Sequence, residues 1–561
     1  MQNTHRPRAK KGHLSTLRPR ELLQLPGKKA LDLILESGTP ASLVQSMAEE
    51  DVFWLVQDIG PEDALPILSV ASNDQWQYLL DMDLWQRDRL RIDSVNRWFA
   101  LLLQADTERF LIWALRKHRE LVKLHLSRNI DVKIRNQDES PSDFAKDYFT
   151  FDNVFYIHIK SKDHYHTIRQ LLERLAEHDL DKFHQVLLEL NHVLPAESEE
   201  NLYRLRSVRL AEKGFLPFDE AVGIYQHIDT DALVEKKPEV QKIIQQPQPS
   251  EPAPLSASLL IQDRNLFYKA LKRIEPGPAL ERLQMEFAAM CNQIISADGL
   301  MVRDKEKLAS VVRKACGYLA IGLERLAGND TARACLFLQK TPLSQVFRVG
   351  YSAALNLKWK AEKWFRKSWF VRESLNLSFW DDEWGGILEG LLKKRPLFYT
   401  GLSGGELYRE FRNSSDISYC HSALEQIMAL DHLMSLLFAG GVLPYRGKAW
   451  QPVNYKNLLL TSWARDHLDL PESDGTLLVN DMKTFFRDLW TKGQKPYRVD
   501  EKMKQSFVDW LMMRSGLPAA DLLGDLGKTF ERLFVEIETE YGSVSIQDLD
   551  PRYVKHFLVV L

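Results

Sequence analysis

The chain has 561 residues, 45% of them apolar and 27% charged, with a formal net charge of −3 at pH 7. That length exceeds what one core supports and predicts about two to four domains of a soluble globular type. The near-neutral balance excludes a global attraction to nucleic acid or anionic membrane, so any such binding needs a local patch. The cysteines Cys291, Cys316, Cys335 and Cys420 form no C-x-x-C pair, which argues against a disulfide framework or a zinc ribbon and for free thiols in a reducing compartment. The longest apolar run, around residues 433–443, is broken by Gly440-Gly441 and is too short to span a bilayer.

Residues 1–28 read as a flexible basic arm carrying Arg6, Arg8, Lys10, Lys11, Arg18 and Arg20. No apolar core segment follows them, so no secretory signal is expected and the expected location is cytoplasmic. Residues 29–230 read as a domain that opens with an array of short helices. Glu50-Asp51, Glu62-Asp63 and Asn73-Asp74 recur at near-constant spacing, each ahead of leucine, tryptophan or tyrosine at helical period. Asp51, Asp63 and Asp74 suit helix N-termini, where a carboxylate meets free N–H groups and the positive dipole end. Gly60-Pro61 reads as a stop followed by a new start. The expected core includes Ile34, Leu35, Phe53, Leu68, Trp76, Leu79, Trp98 and Leu102. Short helices cannot bury an apolar face alone, so neighbours must stack.

Between 128 and 160 the period shortens, and Val132, Ile134, Val154, Tyr156 and Ile159 predict a small β-hairpin around a turn-like 136–142. Residues 164–193 return to helical period, and Gly214–Glu220 reads as a turn into another short helix. Residues 231–257, with a run of Gln and Pro from Gln245 to Pro254, read as a semi-extended linker. Residues 258–561 have no βαβ rhythm and read as a helical domain, with a further division near 400. The fold expected is therefore mainly α: an α-solenoid-like N-terminal array with a small hairpin, then a larger all-α C-terminal half.

The segments Ala30–Glu36, Gly60–Pro66, Leu84–Asp88, Gly214–Tyr225 and Pro342–Glu362 resemble an uncharacterised bacterial family of unknown function, over most of the chain. That resemblance implies no activity and no catalytic residues. The N-terminal array also resembles the superhelical cytoplasmic N-domain of magnesium transporters over about a hundred residues. No transporter membrane segment follows it, so the likeness implies at most a divalent-ion response.

No complete catalytic motif is present. Gly401-Leu402-Ser403-Gly404-Gly405 matches G-x-S-x-G and makes Ser403 the candidate nucleophile of a dispersed enzyme site. Such an elbow needs a strand before it, at Leu397–Tyr399, a helix after it, at Glu406–Phe411, and a downstream acid and histidine such as Asp466 or Asp481 with His556. The bland reading is a glycine-rich turn capped by Ser403. With Glu406 the same segment resembles the signature of ABC-type ATPases. The partner phosphate loop fails, however: Gly524-Asp525-Leu526-Gly527-Lys528-Thr529 has Leu522 where the first glycine belongs. Six of the fifteen histidines lie between His158 and His192, without diagnostic metal spacing, and read as solvated or capping side chains. Asp381-Asp382-Glu383 lacks the alternating ligands of a calcium loop and reads as a helix end. No cofactor or metal is expected.

Residues 355–372 read as one amphipathic helix. Leu357, Ala361, Trp364 and Trp369 share an apolar face, opposite Lys360, Lys363, Arg366 and Lys367, with Trp359 and Phe370 among the basic residues. A basic face with aromatics suits an acidic protein partner ahead of nucleic acid or lipid, while a core helix with snorkelling cations is the plain alternative. The function expected is a non-enzymatic cytoplasmic interaction or regulatory protein, with an unknown protein as partner.

Overall fold

A computed structural model describes residues 22, 25–86, 88–229, 265–300, 305–401, 405–439, 452–471, 475–493 and 495–560. Residues 1–21, the expected linker 231–257 and Ser403 lie outside the described residues. Among those described, 24 α-helices form and every sheet has two strands. The mainly α class with a small hairpin is what the chain adopts.

The residues gather into two compact units. One runs to Leu319 and includes Leu326–Arg348; the other holds Ala320–Arg325 and the chain from Val349 onwards.

In the first unit the short helices Gly27–Glu36, Pro40–Gln45, Glu49–Ile59, Leu65–Val70, Asn73–Asp83 and Ile92–Ala105 each pack on the next but one. That staggered stacking buries Ile34, Phe53, Leu68, Trp76, Leu79, Trp98 and Leu102. Leu35 is a correction: it is 48% exposed, on the outer side of its helix from Ala30 and Ile34. Asp51 and Asp74 do sit in first turns, but the hydrogen-bonding cap of Asn73–Asp83 is Ser72, in a reciprocal pair with Gln75. Asp63 precedes Leu65–Val70 instead of opening it. Gly60 closes Glu49–Ile59 at φ +97°, a conformation open to glycine. The Gln75 carboxamide, itself buried, donates at 2.9 Å to the carbonyls of Val44 and Met47 and so ties two turns of the array together.

The hairpin pairs Ile130–Ile134 with Phe155–Ile159, antiparallel, in the register Ile130↔Ile159 to Ile134↔Phe155. The helical period of 164–193 resolves into Tyr165–His178 and Leu180–Leu190, parted at Asp179, which caps the second helix.

The second unit packs Asp381–Leu392, Ser414–Leu437, Tyr455–His467, Glu501–Ser515 and Ala519–Tyr541 around a dense aromatic core. Trp380, Trp463, Phe507, Phe534 and Phe557 are almost wholly buried within it. Gly385 and Gly390 allow the first of these helices to be approached closely: a Cβ at either would lie 2.6 Å from a carbonyl oxygen, of Leu377 and Leu397 respectively. Near the C-terminus Val559–Val560 pairs in parallel with Leu477–Leu478, and the Leu558 N–H donates to the Thr461 hydroxyl at 2.8 Å. These bonds anchor the segment that carries His556.

Candidate functional site

A pocket of about 190 Å³ lies inside the second unit. The long helix Ala519–Tyr541 forms one wall. Lys528, Arg532 and Glu536 recur at i, i+4, i+8 and so share a face, with Thr529 and Leu533 beside them. Gln426 comes from Ser414–Leu437, Trp384 from Asp381–Leu392, and Tyr455 and Lys456 from the first turn of Tyr455–His467. The Trp384 and Tyr455 rings stack with centroids 5.2 Å apart and planes 14° off parallel.

Ion pairs cross-link these elements. Lys456 Nζ lies 2.6 Å from Glu536 Oε2 and 3.0 Å from Asp381 Oδ2. The Tyr455 hydroxyl donates to Asp381 Oδ2 at 3.3 Å. Arg532 pairs with Glu383 through Nη2 and approaches Glu536 through Nε at 3.4 Å, while Tyr419 donates to the other oxygen of Glu383. Behind Glu536, His556 Nε2 stands 3.6 Å away and its Nδ1 is 2.9 Å from the Tyr541 hydroxyl. That hydroxyl accepts from the backbone N–H groups of Lys555 and His556, which leaves its own proton for Nδ1 and turns the Nε2 proton toward Glu536.

Asp381 is the pivot. Its backbone sits at φ +63°, ψ −175°, a region essentially reserved for glycine and costing on the order of 1–3 kcal/mol elsewhere. Its Oδ1 accepts from the Glu383 and Trp384 N–H groups at 3.0 and 3.1 Å and so caps the helix, while Oδ2 holds Lys456 and Tyr455. Strain of this kind persists where the surroundings over-determine it.

Burial alone would raise the Glu536 carboxyl, but His556 and Lys456 outweigh it and hold it down at about 2. Burial would likewise lower the Lys456 ammonium, but Glu536 and Asp381 keep it above its ordinary value. The bond to Glu383 raises the Arg532 guanidinium. Burial, with the charges of Asp381 and Glu536, pushes the Tyr455 phenol far up.

The residues singled out in the sequence fall in several places. Helix Leu343–Phe365 ends where a continuous helix to 372 was expected. Ser368 breaks it by capping a new short helix, Trp369–Arg372, through a bond from the Val371 N–H. The apolar face behaves as expected, with Leu357, Ala361, Trp364 and Trp369 buried. Phe370 is a correction: it is 1% exposed, because the break turns it into the aromatic core against Phe379 and Trp380. Lys360 pairs with Glu425. Lys363, Arg366 and Lys367 are exposed, and Trp359 is 45% exposed.

Of the hydrolase elements, Phe398–Tyr399 does form a strand, but Tyr408–Arg409 pairs with it antiparallel where the elbow needs a helix. The broken phosphate loop 524–529 lies inside the helix Ala519–Tyr541, so its N–H groups are spent on helical bonds, yet Lys528 and Thr529 reach the pocket. Four of the five histidines of 158–184 pair with carboxylates: His158 with Asp147, His164 with Asp93, His178 with Glu108 and His184 with Asp152. No group of three metal-ligating side chains occurs among the described residues. Nor is any described helix long and apolar enough to cross a membrane.

A mainly α-helical chain with an ion-paired polar pocket in its second unit is the class these observations define. The chain belongs to the family of unknown function DUF6178, whose model matches residues 8–560. No curated protein and no solved structure matches it, so the likeness of the array to magnesium-transporter N-domains gains no support.

Proposed function

We propose that this is a non-enzymatic interaction or regulatory protein of the cytoplasm, with the pocket of its second unit serving as a binding site. The observation that carries the reading is the fixed charge of that pocket. Glu536 is held ionised, Lys456 and Arg532 are held protonated, and Tyr455 keeps its proton. A general acid or base works best with its pKa near the operating pH, and each of these groups is pushed away from it. Fixed charges suit recognition.

The partner surface we propose is the basic stripe Lys363, Arg366 and Lys367 beside Trp359 and Lys360. Those first three cations form no ion pair among the described residues, which leaves them available to an acidic partner. The test is affinity capture from native lysate at moderate salt with nuclease, using wild type and the triple variant Lys363→Glu, Arg366→Glu, Lys367→Glu. A stoichiometric protein captured by wild type and lost in the variant supports the reading. Turnover of a substrate by the purified protein, abolished by Lys456→Met, overturns it.

A further inference from the structure

Helix Pro195–Glu212, in the first unit, has the polarity of a packed helix reversed. A helix docked on its neighbours ordinarily turns an apolar stripe inward. Here Leu205 and Val208, one turn apart, are 53% and 58% exposed, and of the 18 residues only Glu199 and Leu210 are buried. The preceding helix Leu180–Leu190, of 11 residues, buries Phe183, Val186, Leu187 and Leu190. What faces inward on Pro195–Glu212 is charge. Glu199, Arg206 and Lys213 recur every seven residues and so share one side. The Glu199 carboxylate accepts from the Leu90 N–H and from Arg128, both at 2.6 Å. Arg209 forks onto the two oxygens of Asp81 at 2.7 and 2.8 Å, and Arg206 Nε donates to the Asp81 carbonyl at 2.6 Å. Lys213, just past the helix, pairs with Glu49 at 2.7 Å. Both Asp81 and Glu199 are almost wholly buried.

We infer that Pro195–Glu212 is a strap latched by charge, which opens from the helical array as a unit while the array stays folded. Apolar burial is the main source of docking free energy, and this helix has little of it beyond Leu210 and the Tyr203 ring beside Trp85. Its buried ion pairs fix the closed position, but their attraction is largely offset by the desolvation of both charges. A segment with few buried apolar contacts opens below the free energy of global unfolding. The array keeps its own core, because its short helices bury Phe53, Leu68, Trp76, Leu79 and Trp98 against one another. The pivot is Gly214, at φ +83°, directly after Lys213, whose carbonyl is held by the Asn292 carboxamide at 2.9 Å. Arg206 and Tyr203 lie against Trp85, so opening uncovers that ring together with the Asp81 carboxylate. The closed strap thus masks an acidic, aromatic face of the array.

The test is amide hydrogen exchange of the full-length protein, read by mass spectrometry over residues 199–212 and over the array helices Asn73–Asp83 and Ile92–Ala105. Wild type, Arg209→Met and Leu205→Ala are compared. In wild type the strap amides should exchange together, about tenfold or more faster than those of the array. Arg209→Met keeps the aliphatic stem but strips Asp81 of its fork. It should speed exchange of the strap by a further factor of about ten or more and leave the array unchanged. Leu205→Ala, on the outer side, should leave both within about twofold of wild type. Exchange of strap and array at one common rate, or a rise in Arg209→Met that spreads equally over the array, overturns the strap. Exchange in Arg209→Met equal to wild type, or a matching rise in Leu205→Ala, overturns the charge latch. The wild-type comparison decides the strap by itself should Arg209→Met fail to fold.

Discussion

Asp381 reaches Lys456 at 3.0 Å from a backbone conformation that favours glycine. The same carboxylate caps the helix Asp381–Leu392 with its other oxygen. One strained residue thus fixes both the start of a helix and the orientation of a half-buried cation.

Substitutions at Asp381 should separate these roles. Asp381→Asn keeps the cap oxygen and loses the charge, for about 1 kcal/mol. Asp381→Ala loses the cap, the charge and an acceptor, for about 2–3 kcal/mol. Asp381→Gly should fall between them, because glycine adopts this φ at little cost and recovers roughly 1 kcal/mol of strain. Urea denaturation of the three variants ranks them.

Glu536 makes stability depend on acid. Its carboxyl is depressed from an ordinary 4.5 to about 2 in the folded chain. A depressed carboxyl stabilises fully above its unfolded value and loses that contribution as pH falls through the folded one. The loss therefore lies between 4.5 and about 2. Discounted for a side chain 26% exposed, it is worth on the order of 1–2 kcal/mol. Glu536→Gln should flatten this part of the stability–pH curve.

Thr529→Val should stabilise the free protein by about 1 kcal/mol, because it replaces an unsatisfied buried hydroxyl with a methyl of the same shape. Differential scanning calorimetry reads the gain. A loss of stability would mean that the hydroxyl is already satisfied.

Asp431 anchors the break in the sequence-amphipathic stretch. Only 5% exposed, it accepts from Trp364 Nε1 at 3.2 Å and from the N–H groups of Trp369 and Phe370 at 3.1 and 2.9 Å. Asp431→Ala strands three buried donors and should cost about 3 kcal/mol or more, whereas Asp431→Asn keeps an acceptor and should cost about 1 kcal/mol. Chemical denaturation followed by tryptophan fluorescence checks both.

Helical class was legible because leucine and tryptophan recur at helical period, and the hairpin because Val132 and Ile134, and Val154 and Tyr156, recur two apart. The end of helix Leu343–Phe365 was not, since the Ser368 cap acts there together with the distant Asp431, which accepts from the N–H groups of Trp369 and Phe370. Phe370 was misplaced for that reason. The pocket was legible only in fragments. Asp381–Glu383 stood out as an acidic cluster read as a helix end, Lys528-Thr529 as the end of a broken phosphate loop, and His556 as a base for Ser403. Nothing local joins Asp381, Lys456 and Glu536, because helix packing brings them together. The spacing of Lys528, Arg532 and Glu536 at i, i+4, i+8 is visible in the sequence as one helix face, but it does not reveal what that face packs against.

The fixed-charge character of the pocket is tested most directly by a carboxyl ¹³C titration of the protein labelled at glutamate, with Glu536 assigned by comparison with Glu536→Gln. The Glu536 carbon should stay at its ionised shift from neutral pH until the acid limit of folding, in keeping with a value of about 2. Titration of that carbon near neutral pH would give the site a poised proton donor and contradict a pocket built for binding alone.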